Sequence, residues 1–180
     1  MQLLFRVPFT TMSTNPTNVI RLGDSSQLRE AFTLEGLLTI VGDKWRDDDD
    51  TAANTWIELR TAKNACPLHI RLSPTRNQVA FNCAVSVDNT PGKTSWIREE
   101  AVTIEKLKTR ENPRIIVYDH GRKHGYQILF NYQTVAWYKP DEKVPDEKVT
   151  QVWYGRNEYN PPAFGEQITV STARDLGRFK

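Results

Sequence analysis

Apolar and polar residues alternate along most of this chain in short runs. Stretches rich in Val, Ile, Tyr, Phe and Trp are separated by Gly, Pro, Asn and Asp, the punctuation of strands and turns. Strands are expected at "NVIRL" (18–22), "LLTIVG" (37–42), "TWIELR" (55–60), "LHIRLS" (68–73), "QVAFNC" (78–83) and "WIREEAV" (96–102). Five more are expected at "RIIVYD" (114–119), "YQILFN" (126–131), "TVAWYK" (134–139), "VTQVWYG" (149–155) and "QITVST" (167–172). No long stretch keeps a helical period, and the best helix candidate, "SSQLREAFTLEG" (25–36), is short. "RDDDDT" (46–51) and the tandem pentapeptide "PDEKVPDEKV" (140–149) read as solvated loops, and "FNYQTV" (130–135) as a turn between hairpin strands. So many short strands in one domain predict an all-β chain of two packed sheets or a barrel.

The stretch Pro67 to Cys83 carries the alternation most clearly. Side chains of a strand point alternately to its two faces. Leu68, Ile70 and Leu72 therefore share one face, and His69, Arg71 and Ser73 the other. Val79, Phe81 and Cys83 share a face, with Ala80 and Asn82 opposite. A hairpin through "SPTRN" superimposes the apolar sets and places His69 beside Asn82 and Arg71 beside Ala80. The preceding segment repeats the pattern, with Thr55, Ile57 and Leu59 inward and Trp56, Glu58 and Arg60 outward. One face of three adjacent strands then carries Glu58, Arg60, His69, Arg71, Ser73 and Asn82, with space expected over the small Ala80. Glu58 and Arg71 fall on this face together, which predicts a solvent-open ion pair between them.

Composition narrows the partners. The chain has 180 residues, 26% of them charged, and a net charge of +2. It is long enough for one sizeable core, and the charge balance gives no reason to expect nucleic acid or an acidic membrane as partner. No apolar run has the length of a membrane span, so no membrane insertion is expected. The start "MQLLFRVPFTTMS" does not read as a signal peptide, and we expect a cytoplasmic protein, or one exported without such a signal. Residues 1–17 read as an N-terminal extension and 18–180 as a single domain. Cys66 and Cys83, the two cysteines, read as small buried hydrophobes rather than a disulfide framework.

A polar sheet face is often no more than a solvated one. Here the mixture of side chains points further. His, Asn, Glu and Arg fix hydroxyl groups through directional hydrogen bonds, and a Trp ring covers an apolar C–H face; together they suit a sugar. "LHIRLSPTRNQVAFN", "SWIREEAV" and "RIIVYDHGRKHGYQILFNYQTVAWY", in that order and spacing, resemble a galectin carbohydrate-recognition domain, most like those of mushroom galectins. The resemblance implies a two-sheet antiparallel β-sandwich of jelly-roll topology. It implies a lectin that needs no metal or other cofactor, performs no catalysis, and binds oligosaccharides or glycoconjugates on the concave face of one sheet. It also implies a homodimer or higher homo-oligomer.

By the same resemblance, His69, Asn82, Trp96 and Glu99 stand where the family has sugar ligands, and Glu58 where many members have Asn. The sequence departs from the pattern at Ser73 and Ala101, where the family carries Arg, and at Arg71, where it carries Asn. The candidate carbohydrate-binding residues are thus Glu58, His69, Arg71, Asn82, Trp96 and Glu99, with Arg71 placed to replace a missing guanidinium. The departures imply a specificity altered from plain β-galactosides, N-acetylglucosamine-containing oligosaccharides being one direction; the alternative is a galectin-fold protein that has lost sugar binding and serves in protein contacts or assembly. A Glu58–Glu99 pair could in principle act as glycosidase carboxylates, but Glu99 already has a lectin role. His69, His120 and His124 with the "DDDD" run lack tight ligand spacing for a metal.

Overall fold

A computed structural model of the chain describes residues 17–45, 55–76, 78–87, 94–97, 99–104, 112–156 and 161–174. The expected N-terminal extension, apart from Thr17, and the "RDDDDT" loop lie outside the described residues. The described elements are β1 (Asn18–Arg21), β2 (Ser25–Phe32), β3 (Gly36–Gly42), β4 (Thr55–Thr61), β5 (Cys66–Ser73), β6 (Gln78–Ser86) and β7 (Thr94–Trp96). They continue with β8 (Glu100–Thr103), β9 (Arg114–Asp119), β10 (Tyr126–Phe130), β11 (Gln133–Tyr138), β12 (Val149–Arg156) and β13 (Gln167–Arg174). One 3-10 turn at Pro74–Arg76 joins β5 to β6.

Two antiparallel sheets stack face to face. One has the order β1-β13-β3-β9-β10-β11; the other runs β2-β12-β4-β5-β6-β7, with β8 also paired to β6. The space between them is filled by the inward sets that alternation marks: Leu38 and Ile40 of β3, Ile115 and Val117 of β9, and Ile128 and Phe130 of β10 meet Ile57, Leu59, Leu68, Ile70, Leu72, Val79 and Phe81 from the other sheet. All of these are buried. Register is strongly specified here, because a slip of one residue would turn each apolar set outward.

Segment 25–36 is a strand followed by a turn, not the helix that its pattern suggests. Ser25–Phe32 lies at the edge of the second sheet against β12, with Gln27 opposite Gln151 and Phe32 opposite Val149. The extra residues on the β2 side bulge between these two pairs. Leu28 and Phe32 have helical spacing, but edge pairing satisfies the backbone and buries Phe32, and tertiary context overrides so weak a local preference. Between β10 and β11, Asn131 and Tyr132 both have positive φ, 45° and 69°, as a two-residue hairpin turn requires. The tandem pentapeptide is a loop anchored from within: Val144 and Val149, the last residue of each repeat, are both buried.

Candidate functional site

The hairpin of β5 and β6 has the expected register, with His69 opposite Asn82 and Arg71 opposite Ala80. On the other side of β5, Glu58 faces His69 and Trp56 faces Arg71. β12 then adds Trp153 opposite Glu58 and Gly155 opposite Trp56. Paired residues share a face, so the outer face of the second sheet brings together Trp153, Trp56, Glu58, His69, Arg71 and Asn82.

The strand expected over 96–102 is broken. β7 pairs Trp96 with Ala84, and β8 pairs Ala101 with Ala80. Five steps along the chain from Trp96 to Ala101 thus match four from Ala84 to Ala80 on β6, which is one extra residue, a bulge. Bulges re-aim side chains. Here the bulge keeps both Trp96 and Ala101 on the outer face and releases Glu99 from the ladder. Glu99 reaches across the face to accept a 2.6 Å bond from the Arg71 guanidinium. Among the described residues, all six predicted site positions therefore converge on one sheet face.

Their pairing differs from the sequence expectation. Glu58 does not pair with Arg71. Its Oε2 accepts from Arg60 Nε at 2.6 Å, and its Oε1 lies 3.3 Å from His69 Nδ1. Register explains this: His69 is directly opposite Glu58, while Arg71 is one pair further along, within reach of Glu99. Nor is the Glu58 pair open to solvent. Glu58 is 5% and Arg60 3% exposed, because the Trp153 ring covers the guanidinium at 5.0 Å and Arg60 also donates to the Asn64 carbonyl. The expectation of open space over Ala80 also fails: it is only 2% exposed, as is Ser73. Of the positions lacking the resembled arginines, only Ala101 is exposed. The pairing also separates the two carboxylates of the glycosidase alternative, Glu58 going to Arg60 and His69, and Glu99 to Arg71.

The buried network fixes the imidazole. Burial pushes the Glu58 pKa up, but the His69 hydrogen bond and the Arg60 charge outweigh it and hold the carboxyl below the ordinary 4.5. An ionised carboxylate only accepts, so His69 Nδ1 donates to Glu58, and Nε2 is the ring nitrogen left for a ligand hydroxyl. The pH consequence follows from the sign of the shift. A carboxyl lowered in the folded state stabilises at pH values above its unfolded pKa and loses that contribution as pH falls through the folded one. Denaturant midpoints measured downward from pH 5 should fall below about pH 4.5, and Glu58→Gln should show a smaller decline; equal slopes would mean that Glu58 is not part of the acid response.

Three tryptophans frame the network. Trp56 stacks on His69 at 6.3 Å between ring centroids, and Trp96 meets His69 edge-on at 4.6 Å. The parity of "TWIELR" marked Trp56 as outward; neither Trp153 nor Gly155 carried a sequence signal beyond lying on the same alternating strand. Gly155 is needed for close approach. A Cβ there would come within 2.2–2.6 Å of three Trp56 ring carbons, so the indole lies flat on the β12 backbone. Gly155→Ala is expected to displace Trp56, costing about 1–3 kcal/mol by overpacking, visible as a lower melting temperature and a shifted Trp56 indole resonance. An unchanged indole resonance would show that the ring does not rest on this glycine.

His120 stands at the end of β9 in the other sheet, next to Tyr118 and Trp137, apart from His69. Among the described residues no three His, Cys, Asp or Glu side chains are grouped to hold a metal ion. Cys66 and Cys83 are buried free thiols; burial pushes the Cys66 thiol up, and Cys83 Sγ accepts from the Asp141 N–H.

Comparison with solved structures identifies the architecture. Galectin LEC-6 of Caenorhabditis elegans superimposes with a TM-score of 0.59 at 15% identity, covering 88% of this chain and 93% of that one. Sheep galectin-11, solved in complex with glycerol, gives 0.58 at 12% identity over 86% of this chain and 99% of its own. A point variant of human galectin-16 gives the same TM-score and identity over the same shares. No protein-family model matches the chain. The chain therefore has a galectin-like fold, a β-sandwich of jelly-roll type.

Proposed function

We propose that this protein is a non-catalytic lectin that binds oligosaccharides or glycoconjugates directly, without a metal ion, on the outer face of the second sheet. The observation that carries this reading is the placement of a 43% exposed Trp96 beside His69 and on one face with Asn82, Arg71 and Glu99. Exposed indole area next to fixed donors and acceptors suits a sugar ring. The Trp96 ring covers a C–H face of the sugar. His69 Nε2 accepts from one hydroxyl, while Arg71 and Glu99, aligned by their mutual ion pair, donate to and accept from neighbouring oxygens. Glu58 and Arg60 act from below by holding the His69 ring.

Specificity follows from what differs on this face. Arg71 supplies from β5 the guanidinium beside Glu99, and Ala101 leaves its part of the face open. We propose that this favours a ligand bulkier than a plain β-galactoside, such as an N-acetylglucosamine-containing oligosaccharide. Residence in the cytoplasm, or export independent of a signal peptide, and assembly into a homodimer or larger oligomer complete the proposal. A glycan array on the purified protein tests it. Selective binding of N-acetylhexosamine glycans with weak lactose binding is expected. Strong lactose binding would overturn the specificity, and an array with no hit would overturn the lectin reading.

A further inference from the structure

A cavity of about 280 Å³ opens at one end of the sandwich, between the turn after β2, the β9–β10 connection and the tandem-repeat loop. Its walls are largely apolar, including Phe32, Leu34, Pro67 and Val149. Against them stands Asp119. In β9 the inward series runs Ile115, Val117, Asp119, so a carboxylate occupies the next core-facing position, directly opposite the core residue Tyr126. Tyr126 is 8% exposed and lines the same cavity. Its hydroxyl has no hydrogen-bond partner among the described residues.

Among the described residues no cation forms an ion pair with this carboxylate, and the neighbouring His120 only partly offsets its charge. Asp119 Oδ1 accepts from the Gly121 N–H at 2.7 Å, and among the described residues Asp119 forms no ion pair. Arg122 lines the cavity but donates to the carbonyls of Val144 and Glu142. Lys63, which lies outside it, pairs with Glu147, and Lys148 makes no ion pair with either aspartate. Asp146, from the second repeat, adds a further carboxylate to the lining. Its counterpart in the first repeat, Asp141, caps the Lys143 N–H, whereas Asp146 has no such bond. Burial, reinforced by the Asp146 charge, pushes the Asp119 carboxyl up despite the Gly121 bond and the His120 charge.

We propose that this cavity is a second binding site, for a small organic ammonium carried on an apolar stem or ring. The ammonium sits between Asp119 and Asp146 and donates to their oxygens and to the Tyr126 hydroxyl; the stem lies against Phe32, Leu34 and Val149. Size agrees, since a dry cavity of ~150 Å³ already accommodates a benzene ring. Charge agrees, since carboxylate–ammonium hydrogen bonds are the strong ones. The site shares no residue with the sheet face, so it stands or falls apart from the lectin reading.

Phenethylammonium chloride, titrated into the full chain and followed by amide NMR, tests the proposal. Saturable shifts at Gly121, Gly125 and Tyr126 are expected, with the Trp96 indole unmoved. Neutral 2-phenylethanol should bind the unmodified protein at least about tenfold more weakly. Asp119→Asn, which retains an acceptor for the Gly121 N–H, should weaken the amine to a similar degree, as should Asp146→Asn at an exposed loop position. Absence of saturable shifts, equal binding of the alcohol, or undiminished binding by both variants would overturn it.

Discussion

Replacing Glu58 by alanine is expected to cost roughly 3–5 kcal/mol of folding stability, a large part of the 5–15 kcal/mol typical of a domain. The reason is the partner left behind. Arg60 is 3% exposed, capped by the Trp153 ring, and without Glu58 retains only the Asn64 carbonyl as acceptor among its described contacts. A buried guanidinium without a counter-ion bears its desolvation unopposed. Replacing both members of the pair, Glu58→Leu with Arg60→Met, should recover most of the loss, because a well-packed apolar pair is often as stable as a buried ionic one. The double variant should nevertheless bind glycan poorly, since nothing then holds the His69 imidazole. Denaturant unfolding of the three proteins settles the first point. A loss under about 1 kcal/mol for Glu58→Ala would mean that the pair is screened like a surface one.

Trp96→Ala is expected to do the reverse: abolish glycan binding with little effect on folding. Trp96 lies on the short strand β7 and is 43% exposed, so its removal opens no core cavity, and exposed substitutions usually stay within ±0.5 kcal/mol or so. Loss of the ring from a sugar contact is worth roughly 1–3 kcal/mol, about 5- to 150-fold in affinity. That is enough to take a weak monovalent interaction below detection. Soluble monovalent sugar must be used, because a multivalent surface conceals weak single-site affinity. Unchanged affinity in a folded Trp96→Ala protein would assign the ring a structural role.

Local alternation made much of this legible. The inward sets of β4, β5 and β6 and the His69–Asn82 and Arg71–Ala80 pairs follow from a period of two and one short turn. What alternation cannot show is which strand comes from far away. β12 inserts between β2 and β4, bringing Trp153 and Gly155 from about a hundred residues further along the chain. Those two residues turn a face that reads as solvated into a covered one, burying Glu58 and Arg60. The helical reading of 25–36 failed for the same reason, because the β12 edge that captures Ser25–Phe32 is remote in sequence. The Glu58–Arg71 pairing failed on register: parity gives the face, but only the exact pairing places His69, not Arg71, opposite Glu58. The register offset between β7 and β8, which frees Glu99 to meet Arg71, has no signature in "WIREEAV".

The five tryptophans allow the central claim to be tested in one experiment. Trp56, Trp96 and Trp153 share the proposed glycan face, Trp45 is in the core, and Trp137 is exposed on the other sheet. Each indole N–H gives a separate NMR resonance. Titration with the strongest soluble monovalent glycan from the array should move the Trp96 resonance most and Trp56 next, leaving Trp45 and Trp137 in place. Saturable shifts confined to Trp137, or binding that leaves Trp96 unmoved, would contradict a glycan site on this face.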